Sequence, residues 1–460
     1  MTIHPKLDRT FDKADPVRLF SAPVPRYTSY PTAPHFHDGV GAETYAGWLA
    51  SLPADAPVSL YLHVPFCQRM CWYCGCHTKV VGRYEPIHDY AETLAREADL
   101  VAAAVPGRLR VSHLHFGGGS PTTLSEDDFR MIMARLGERF DFAPGAELAV
   151  EIDPRTMTDS MAETLARSGI NRVSFGVQDF NRQVQEAINR VQSYEDTKGV
   201  LDILRRHGIQ SVNLDLMYGL PHQGVADAER TVDLSVELAP DRLSVFGYAH
   251  VPWMKTHQKM IDEAALPGAA ERFRQAEAVA RRLAEHGYVR IGLDHFARAD
   301  DPMAKQLDAG ELRRNFQGYT TDQAASLIGM GASAIGSLPQ GYVQNAPSVR
   351  AWRRAVDGGG FAAERGLELD AADRLRRDII ERLMCDLHVD LAPFETKDGA
   401  PDDGFAAERA RLLPMADDGL VNLDGDHVEV TEAGRPFVRS VCSVFDTYLQ
   451  TGKGRHSAAV

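Results

Sequence analysis

The stretch HVPFCQRMCWYCGCHTKV (residues 63–80) contains four of the six cysteines of this 460-residue chain. Cys67, Cys71 and Cys74 have the spacing C-x3-C-x2-C and directly follow VSLYLHV (residues 58–64), whose alternation is typical of a half-buried β-strand. Three thiolates on one loop can hold three corners of a cubane iron-sulfur cluster and leave the fourth iron open to a small molecule. The loop therefore predicts a 4Fe-4S cluster with these three cysteines as ligands.

A structural zinc site is the alternative for this loop, with Cys76 or His77 as the fourth ligand. Zinc ribbons usually bring together two separated ligand pairs, whereas all the candidate ligands here lie in one loop. The remaining cysteines, Cys385 and Cys442, stand in apolar helical contexts, and we expect both to be buried thiols without a metal role. This distribution indicates a cofactor site rather than a disulfide framework.

The composition is that of a large globular protein, with 44% hydrophobic residues and a net charge of −14. Nucleic acids and anionic membranes attract basic surfaces, so the acidic balance argues against both as partners. The polar N-terminal residues contain no signal-peptide core, and no run of 18 or more apolar residues occurs in the sequence. We expect a cytoplasmic monomer.

Six short β-rich segments alternate with stretches of helical period. They are VSLYLHV (58–64), RVSHLHF (110–116), ELAVEID (147–153), RVSFGVQ (172–178), SVNLDLM (211–217) and RLSVFGYA (242–249). This alternation predicts an α/β fold in which parallel strands and helical crossovers form a partial (β/α)6 barrel. A full eight-unit barrel is the alternative, because YVRIGLDHF (288–296) could supply a further strand. In both, ligands should bind at the carboxyl ends of the strands.

Three regions are expected along the chain. Residues 1–55 are rich in proline and aromatic residues without a sustained period, which indicates an N-terminal arm. Residues 56–357 contain the barrel and an extension. Residues 358–460 contain two helical stretches, a hairpin turned at residues 424–425 and a final helix capped by Thr431. This mainly helical domain resembles a winged helix, and the acidic balance favours a packing or lid role over DNA binding.

Polar and glycine residues gather at the ends of the predicted strands. HFGGGSPTTL (residues 115–124) places three glycines after the second strand, where they expose backbone groups and allow a ligand to approach closely. Glu151, Gln178 and Asp215 lie on otherwise apolar strands and would be costly there without hydrogen bonds. Their common placement favours ligand binding, with hydrogen bonding among barrel neighbours as the alternative.

These features resemble the radical S-adenosylmethionine enzymes and, over nearly the whole chain, the oxygen-independent coproporphyrinogen III oxidases. The matching stretches are RYTSYPT, YLHVPFCQRMCWYCGC, GGGSPTTL, VEIDP, GVQDFNRQVQEAINR, NLDLMYGLP, LSVFGYAH, GLDHFAR, RNFQGYTT, LIGMGASAIG and VCSVFDTYL. The resemblance implies that a 5′-deoxyadenosyl radical starts the decarboxylation of two propionates of coproporphyrinogen III to vinyl groups, giving protoporphyrinogen IX in haem biosynthesis. A radical is needed because no side-chain base removes so weakly acidic a hydrogen.

The same resemblance implies the cofactors and the residues that bind them. Two S-adenosylmethionine molecules are expected beside the cluster. The positions that match contacts to the first are Tyr61, Tyr73, Gly118, Glu151 and Ala249. Those that match contacts to the second are Gly119, Ser120, Gln178, Arg190, Asp215 and Ile335. An electron donor and an electron acceptor, both unidentified, complete the expected partners.

Cys76 is expected to act in catalysis without binding the cluster, because it follows Cys74 too closely to reach the iron that the other three cysteines leave open. The substrate carboxylates should bind basic groups near the mouth of the barrel, for which Arg26, Arg298 and Arg314 are the candidates. For any one of them, a solvated surface position is the more common role of an arginine.

A haem-binding chaperone of the same superfamily is the alternative function, since these chaperones share the cysteine loop. Cys76, the RYTSYPT stretch and the RNFQGYTT stretch favour the oxidase, because the chaperones resemble it poorly at these points.

Overall fold

A computed structural model describes residues 24–449 of the chain. Residues 1–23 of the predicted arm and residues 450–460 of the predicted C-terminal domain lie outside the described residues. The strands are, in chain order, β1 (Val58–Val64), β2 (Phe66–Cys67), β3 (Lys79–Val80), β4 (Arg110–Gly118), β5 (Asp141–Ile152), β6 (Arg172–Gln178), β7 (Ser211–Tyr218), β8 (Arg242–Gly247), β9 (Tyr288–Ile291), β10 (His295–Arg298), β11 (Arg313–Asn315), β12 (Gly318–Thr320), β13 (Ser326–Met330), β14 (Ile335–Leu338), β15 (Gly341–Asn345), β16 (Ala363–Glu368), β17 (His388–Asp390), β18 (Val421–Asp424) and β19 (His427–Val430).

Helices connect most of these strands. The α-helices are Ala42–Ala50, Glu85–Ala104, Glu126–Arg139, Asp159–Arg167, Arg182–Ala187, Tyr194–Arg206, Val225–Glu237, Ala269–Glu285, Pro302–Asp308, Val349–Asp357, Ala371–Asp386, Ala392–Glu395, Ala406–Asp417 and Val438–Cys442. Short 3-10 helices span Ala33–His35, Pro121–Thr123, Thr256–Met260, Glu263–Ala265 and Arg435–Phe437. Within residues 24–449, no helix is both long and apolar enough to cross a membrane.

The central sheet contains the six parallel strands that the sequence predicts, in the order β1-β4-β5-β6-β7-β8. Strand β13 adds in parallel to the free edge of β1, and antiparallel strands extend the sheet at both ends. The sheet ends at β16 on one side and at β9 on the other, so it stays open. The prediction of a partial barrel is confirmed.

The segment 288–296 does not add a parallel unit. It forms parts of β9 and β10, an antiparallel pair in which β10 also pairs antiparallel with β8. Only residues 292–294 join the two strands, and a parallel connection needs a crossover of a dozen residues or more. The eight-unit barrel is therefore excluded.

Side chains alternate between two environments along the central strands. On β7, Val212 and Leu214 are fully buried in the core that the sheet shares with the surrounding helices. Their neighbours Asn213 and Asp215 face the inside of the barrel, where Asn213 Nδ2 donates to Ser174 Oγ at 2.8 Å. This period of two places apolar groups under the helices and a polar layer inside the barrel.

The helices begin where the sequence provides N-terminal caps. Ser125, Thr158 and Ser193 each accept a backbone N–H from the first turn of the helix that follows. The helix Asp159–Arg167 ends before Gly169, whose φ of +85° suits glycine. The crossover helices are thus delimited by local sequence.

The N-terminal residues differ in part from the predicted period-free arm. A nine-residue helix, Ala42–Ala50, packs between the helix Glu85–Ala104 and strand β16. It is too short to show a clear period, and it contains Gly47, a weak helix former. The preceding residues extend to the C-terminal region, where Tyr27 and Tyr30 join a second hydrophobic core.

The C-terminal region contains the predicted helices and hairpin, with β18 and β19 turning at residues 425–426. A third strand, β17, pairs with β19 and was not predicted, because three residues are too few to show an alternation. Thr431 accepts the backbone N–H of Gly434 at 3.0 Å and so caps a turn that precedes the final helix. The final helix begins later than expected, at Val438.

Candidate active site

The cysteine loop is closed at its base by two short strands. Strands β2 and β3 pair in parallel, with Phe66 opposite Lys79 and Cys67 opposite Val80. The loop between them, residues 68–78, starts and ends at the carboxyl end of β1. This arrangement presents the cysteines at the end of the barrel where parallel strands place their ligands.

Side chains from a distant segment hold the loop backbone. His257 Nε2 lies 2.7 Å from the carbonyl oxygen of Cys74, and Gln258 Nε2 donates to that of Tyr73 at 2.9 Å. Lys255 Nζ donates to the carbonyl oxygen of Cys76 at 2.8 Å. Three carbonyl groups within four residues of the loop are therefore held by residues about 180 positions away in the chain.

Two guanidinium groups contact the thiol of Cys71, which is buried. Arg155 Nη2 and Arg190 Nη1 each lie 3.5 Å from Cys71 Sγ. Arg155 also forms an ion pair with Asp153 at 2.6 Å. Although burial opposes it, Arg190 and Arg155 hold the pKa of Asp153 below its usual value. Two guanidinium groups therefore face the thiol of a predicted cluster ligand.

The other thiols of the loop influence one another. Burial raises the pKa of Cys67 to about 12, and the thiols of Cys74 and Cys71 add to the effect. The pKa of Cys74 is lowered to about 6, chiefly by a hydrogen bond from the Cys76 thiol. Cys76 is exposed, and its backbone N–H lies 3.4 Å from Cys74 Sγ. Cys76 therefore stands beside a predicted ligand.

The donor set of this loop fits an iron-sulfur cluster. The loop offers three thiols within eight residues, and two guanidinium groups contact one of them. Its backbone is held by hydrogen bonds from a distant segment, and this combination is suited to a thiolate-bound cluster. Within residues 24–449, no three His, Cys, Asp or Glu side chains converge closely enough to bind a bare metal ion. The fit therefore rests on the chemistry of the donors.

The glycine run packs directly against the cysteine loop. A Cβ atom on Gly119 would lie 2.5 Å from the carbonyl oxygen of Phe66, at the base of the loop. Gly118 has a φ of +113°, and a Cβ there would meet the ring of His63 at 2.5 Å. Glycine is needed at both positions, since a side chain at Gly119 would collide with the base of the loop and one at Gly118 with His63 of β1. Ser120 N donates to Phe66 O at 2.7 Å and continues this contact.

A polar network lies inside the barrel beneath the glycine run. Glu151 accepts the backbone N–H of Gly118 at 3.1 Å and lies 3.2 Å from His115 Nε2. Burial opposes ionisation, but these two contacts hold the pKa of Glu151 below its usual value. The ring of Tyr61 stacks on His115, and its hydroxyl lies 2.9 Å from His63 Nδ1. Tyr61, Gly118 and Glu151 are therefore brought together.

Gln178 and Arg190 meet at the end of strand β6. Gln178 has a φ of 66°, an uncommon value for a residue with a side chain, and its Nε2 lies 2.1 Å from where a Cβ of Gly176 would be. Arg190 Nη2 donates to Gly176 O at 2.8 Å, and its Nε is buried with no hydrogen-bond partner in the described chain. The guanidinium group at the carboxyl end of β6 therefore has one N–H that forms no hydrogen bond within the described residues.

Asp215 lies on the neighbouring strand, where it accepts hydrogen bonds from Ser174 at 3.2 Å and Asn213 at 2.9 Å. Burial raises its pKa, and the nearby carboxylate of Glu151 adds to the shift. These partners are barrel neighbours, as the alternative to ligand binding expects, and Gln178 is not among them.

Two remaining predicted residues border the site from other elements. The carbonyl oxygen of Ala249 accepts from Gln258 Nε2 at 3.3 Å, and the same nitrogen binds Tyr73. Ile335 begins β14, and its backbone carbonyl oxygen lies 2.7 Å from where a Cβ of Gly329 would be. Gly329 in turn is the register partner of Tyr61.

The three arginines predicted to bind the substrate carboxylates do not lie together in the structure. Arg26 and Arg314 line one cavity beside Gly247, the last residue of β8. Arg298 is exposed and paired with Asp300 at 3.2 Å. Its backbone N–H bonds Asp241, which precedes β8, so Arg298 lies at the amino end of the parallel strands. The prediction for Arg298 is wrong because β10 runs antiparallel and carries its last residue away from the barrel mouth.

Comparisons with known proteins agree with this geometry. The model of the Radical SAM superfamily matches residues 61–235, and that of the HemN C-terminal domain matches residues 369–437. An oxygen-independent coproporphyrinogen III oxidase from Bradyrhizobium diazoefficiens is 53% identical over 95% of this chain and 97% of its own length. This chain belongs to the oxygen-independent coproporphyrinogen III oxidases. The family resemblance inferred from the motifs is confirmed.

Other members of the oxidase family are similar over the same length. The oxygen-independent coproporphyrinogen III oxidase of Escherichia coli is 41% identical over 94% of this chain and 95% of its own. A solved structure of coproporphyrinogen III oxidase (HemN) from Escherichia coli, described as a radical SAM enzyme, matches with a TM-score of 0.87. It is 40% identical and covers 92% of this chain and 97% of that one. Membership of this oxidase family implies a 4Fe-4S cluster and S-adenosylmethionine.

Several residues of the site were not predicted. Lys255, His257 and Gln258 bind the cysteine loop, and Asp153 and Arg155 form the ion pair beside Cys71. Arg155 directly follows the VEIDP stretch, and this proximity to a motif was the one available signal. The segment 251–260 has no strand alternation or glycine pattern, so its role becomes visible only when the chain is folded.

Proposed function

We propose that this oxidase converts two propionate side chains of coproporphyrinogen III to vinyl groups without oxygen. The observation that carries the proposal is the loop of Cys67, Cys71 and Cys74, whose backbone is held in place beside a close-packed glycine run. The relatives that match this chain over nearly their full length are named for this activity. For each propionate, one hydrogen atom leaves the β-carbon, carbon dioxide is lost, and one electron passes to an acceptor.

The cluster would be held by Cys67, Cys71 and Cys74. When bound, the cluster and S-adenosylmethionine together supply a carbon radical strong enough to remove an unactivated hydrogen atom. Arg155 and Arg190 place two guanidinium groups beside Cys71. The bonds from the segment 255–258 hold the loop backbone, which limits the positions that the cluster can take.

One S-adenosylmethionine would lie between the cysteine loop and the polar network of Tyr61, Gly118 and Glu151, with Tyr73 and Ala249 at its other side. Gln258 supports this arrangement because it holds the carbonyl groups of Tyr73 and Ala249 with one amide nitrogen. The carboxylate of Glu151 and the exposed backbone of the glycine run can bind the charged amino group and the polar atoms of an amino acid.

A second S-adenosylmethionine would lie across β6 and β7. Arg190 with its unbonded Nε, Gln178 with its positive φ and Asp215 are the groups that support this position. Gly119 and Ser120 would contact it from β4, and Ile335 from β14. A cytoplasmic location, a monomeric state and the involvement of an electron donor and an electron acceptor stay predictions of the sequence.

The test is an anaerobic incubation of the reconstituted protein with coproporphyrinogen III, a reductant and S-adenosylmethionine, followed by mass spectrometry of the tetrapyrrole. We expect a product that lacks two carbon dioxide molecules and four hydrogen atoms. A parallel titration with haem tests the chaperone alternative. Stoichiometric haem binding by a protein that has an intact cluster but leaves the tetrapyrrole unchanged would overturn the proposal.

A further inference from the structure

A cavity at the junction of the barrel, the N-terminal residues and the C-terminal region collects an unusual amount of positive charge. Four arginines line it, and we name it the arginine cavity after them: Arg26, Arg290, Arg314 and Arg439. Two carboxyl groups, Glu277 and Asp294, also line it. The chain as a whole has a net charge of −14, so this excess of guanidinium groups is a local feature.

The two carboxyl groups of the cavity offset only part of the charge of its four arginines. Asp294 contacts His295 at 2.8 Å, and Glu277 reaches Arg290 only at 3.9 Å. Within the described residues, Arg26 and Arg314 form no ion pair with a carboxylate; their hydrogen-bond acceptors are backbone carbonyl groups. A carbonyl group carries a partial charge, so these bonds orient the guanidinium groups without cancelling their charge.

Parts of these side chains are buried without partners. Arg314 Nη1 and Arg290 Nε have no hydrogen-bond acceptor among the described residues. Burial lowers the pKa of Arg290, and Glu277 opposes this shift. A buried charge with unbonded N–H groups is unfavourable. A ligand with carboxylate groups would supply the missing compensation.

The cavity adjoins the candidate active site. Its wall includes Tyr218 and Gly247, the last residues of β7 and β8. Asp215 precedes Tyr218 by three residues, and Ala249 follows Gly247 by two. The chain therefore runs directly from the cavity wall to residues proposed to contact S-adenosylmethionine.

We propose that the arginine cavity binds a propionate carboxylate of the substrate that is not the one reacting. This inference rests on the proposed function, whose tetrapyrrole substrate carries four propionates. Anchoring one carboxylate in the cavity would place another at the radical source, and charge-assisted bonds to guanidinium groups provide both strength and orientation.

The experiment compares Arg26→Gln and Arg290→Gln with Arg298→Gln, a matched control at the other end of the strands. The measurements are kcat and KM for coproporphyrinogen III, and the Kd of two probes, coproporphyrin III and its tetramethyl ester. We expect R26Q and R290Q to raise KM and the Kd of the free acid roughly tenfold or more, as loss of one charged hydrogen bond does. R298Q should match the wild type, and the ester should bind weakly to every protein.

Unchanged KM in both R26Q and R290Q, or ester binding as tight as that of the acid, would overturn this inference. Arg26 is exposed, so R26Q keeps the test decisive if R290Q loses its fold. In R290Q, cluster absorbance and thermal stability like those of the wild type distinguish lost binding from structural damage. If the wild type converts the substrate and both variants have an unchanged KM, this inference fails but the proposed function holds. If the wild type does not convert the substrate, the proposed function itself fails.

Discussion

Glu97 and Asp215 are both carboxyl groups inside the fold, yet their surroundings differ. Glu97 accepts hydrogen bonds from Gly331 N–H at 2.6 Å, Asn345 Nδ2 at 2.7 Å and Trp352 Nε1 at 2.9 Å. Both of its oxygens are therefore used, and burial raises its pKa to about 7 against the effect of these donors. Asp215 also accepts a hydrogen bond at each oxygen, from Ser174 and Asn213, but it faces the inside of the barrel and lies near the carboxylate of Glu151.

The difference teaches how to separate structural polar groups from ligand-binding ones. All the donors to Glu97 come from the fold, and they join the helix Glu85–Ala104 to the loop after β13, to β15 and to the helix Val349–Asp357. At the carboxyl ends of β6 to β8, by contrast, Arg190 and Arg314 retain buried N–H groups without partners. A region with unused hydrogen-bonding capacity is suited to a ligand, whereas a fully bonded region stabilises the fold.

The largest effect on activity is expected at the cysteine loop. Cys71→Ala removes one of three thiolates and should abolish iron and sulfide binding and all turnover, while the fold is retained. Cys385→Ala, which removes a buried thiol from the helix Ala371–Asp386, is the control and should keep full iron content. Iron and sulfide are measured after anaerobic reconstitution. A wild type that contains zinc and no iron would contradict the assignment of Cys67, Cys71 and Cys74 as cluster ligands.

Cys76→Ser should reduce turnover strongly, by roughly tenfold or more, with a normal cluster signal. Serine has nearly the same size but is a poorer nucleophile and a poorer electron partner than a thiol. Electron paramagnetic resonance of the reduced cluster, measured together with product formation, separates the two roles. Loss of iron would show that Cys76 is a ligand, and full activity would show that it takes no part in catalysis.

Asp215→Asn should weaken S-adenosylmethionine binding or turnover by about tenfold and leave thermal stability nearly unchanged, because it removes a charge at constant volume. Binding is measured by equilibrium dialysis and stability by thermal unfolding. A large fall in melting temperature, with residual activity that follows the folded fraction, would place Asp215 with Glu97 as a structural group.

Glu97→Gln should lower stability rather than turnover, and it should have the smallest effect on activity of these variants. At pH 8, the amide can no longer accept all three donors, and we expect the free energy of unfolding to fall by about 1–3 kcal/mol. Glu92→Gln, at an exposed position of the same helix, should change it by less than about 1 kcal/mol. Urea unfolding and turnover per folded molecule are the measurements. If E97Q lost turnover while its free energy of unfolding stayed unchanged, the distinction between Glu97 as a structural group and Asp215 as a ligand-binding group would be wrong.

The C-x3-C-x2-C loop, the six alternating units and the glycine run were predictable because each depends on local spacing. A strand shows itself by a period of two, and ligands on one loop need no knowledge of the rest of the chain. Glu151 and Asp215 could also be singled out, since a charged residue on an apolar strand is locally anomalous. Sequence alone therefore determined the barrel and the cluster ligands as predictions.

Only the tertiary structure decided which distant residues complete the site. The bond of His257 to Cys74 joins residues 183 positions apart, and no local pattern marks either Arg290 or Arg439 as a neighbour of Arg26. Arg298 was misplaced for the same reason, because the direction of β10 depends on its pairing with β8. An isolated arginine or histidine in a sequence is equally compatible with solvent and with a site, and its role is determined by the charges that folding brings around it.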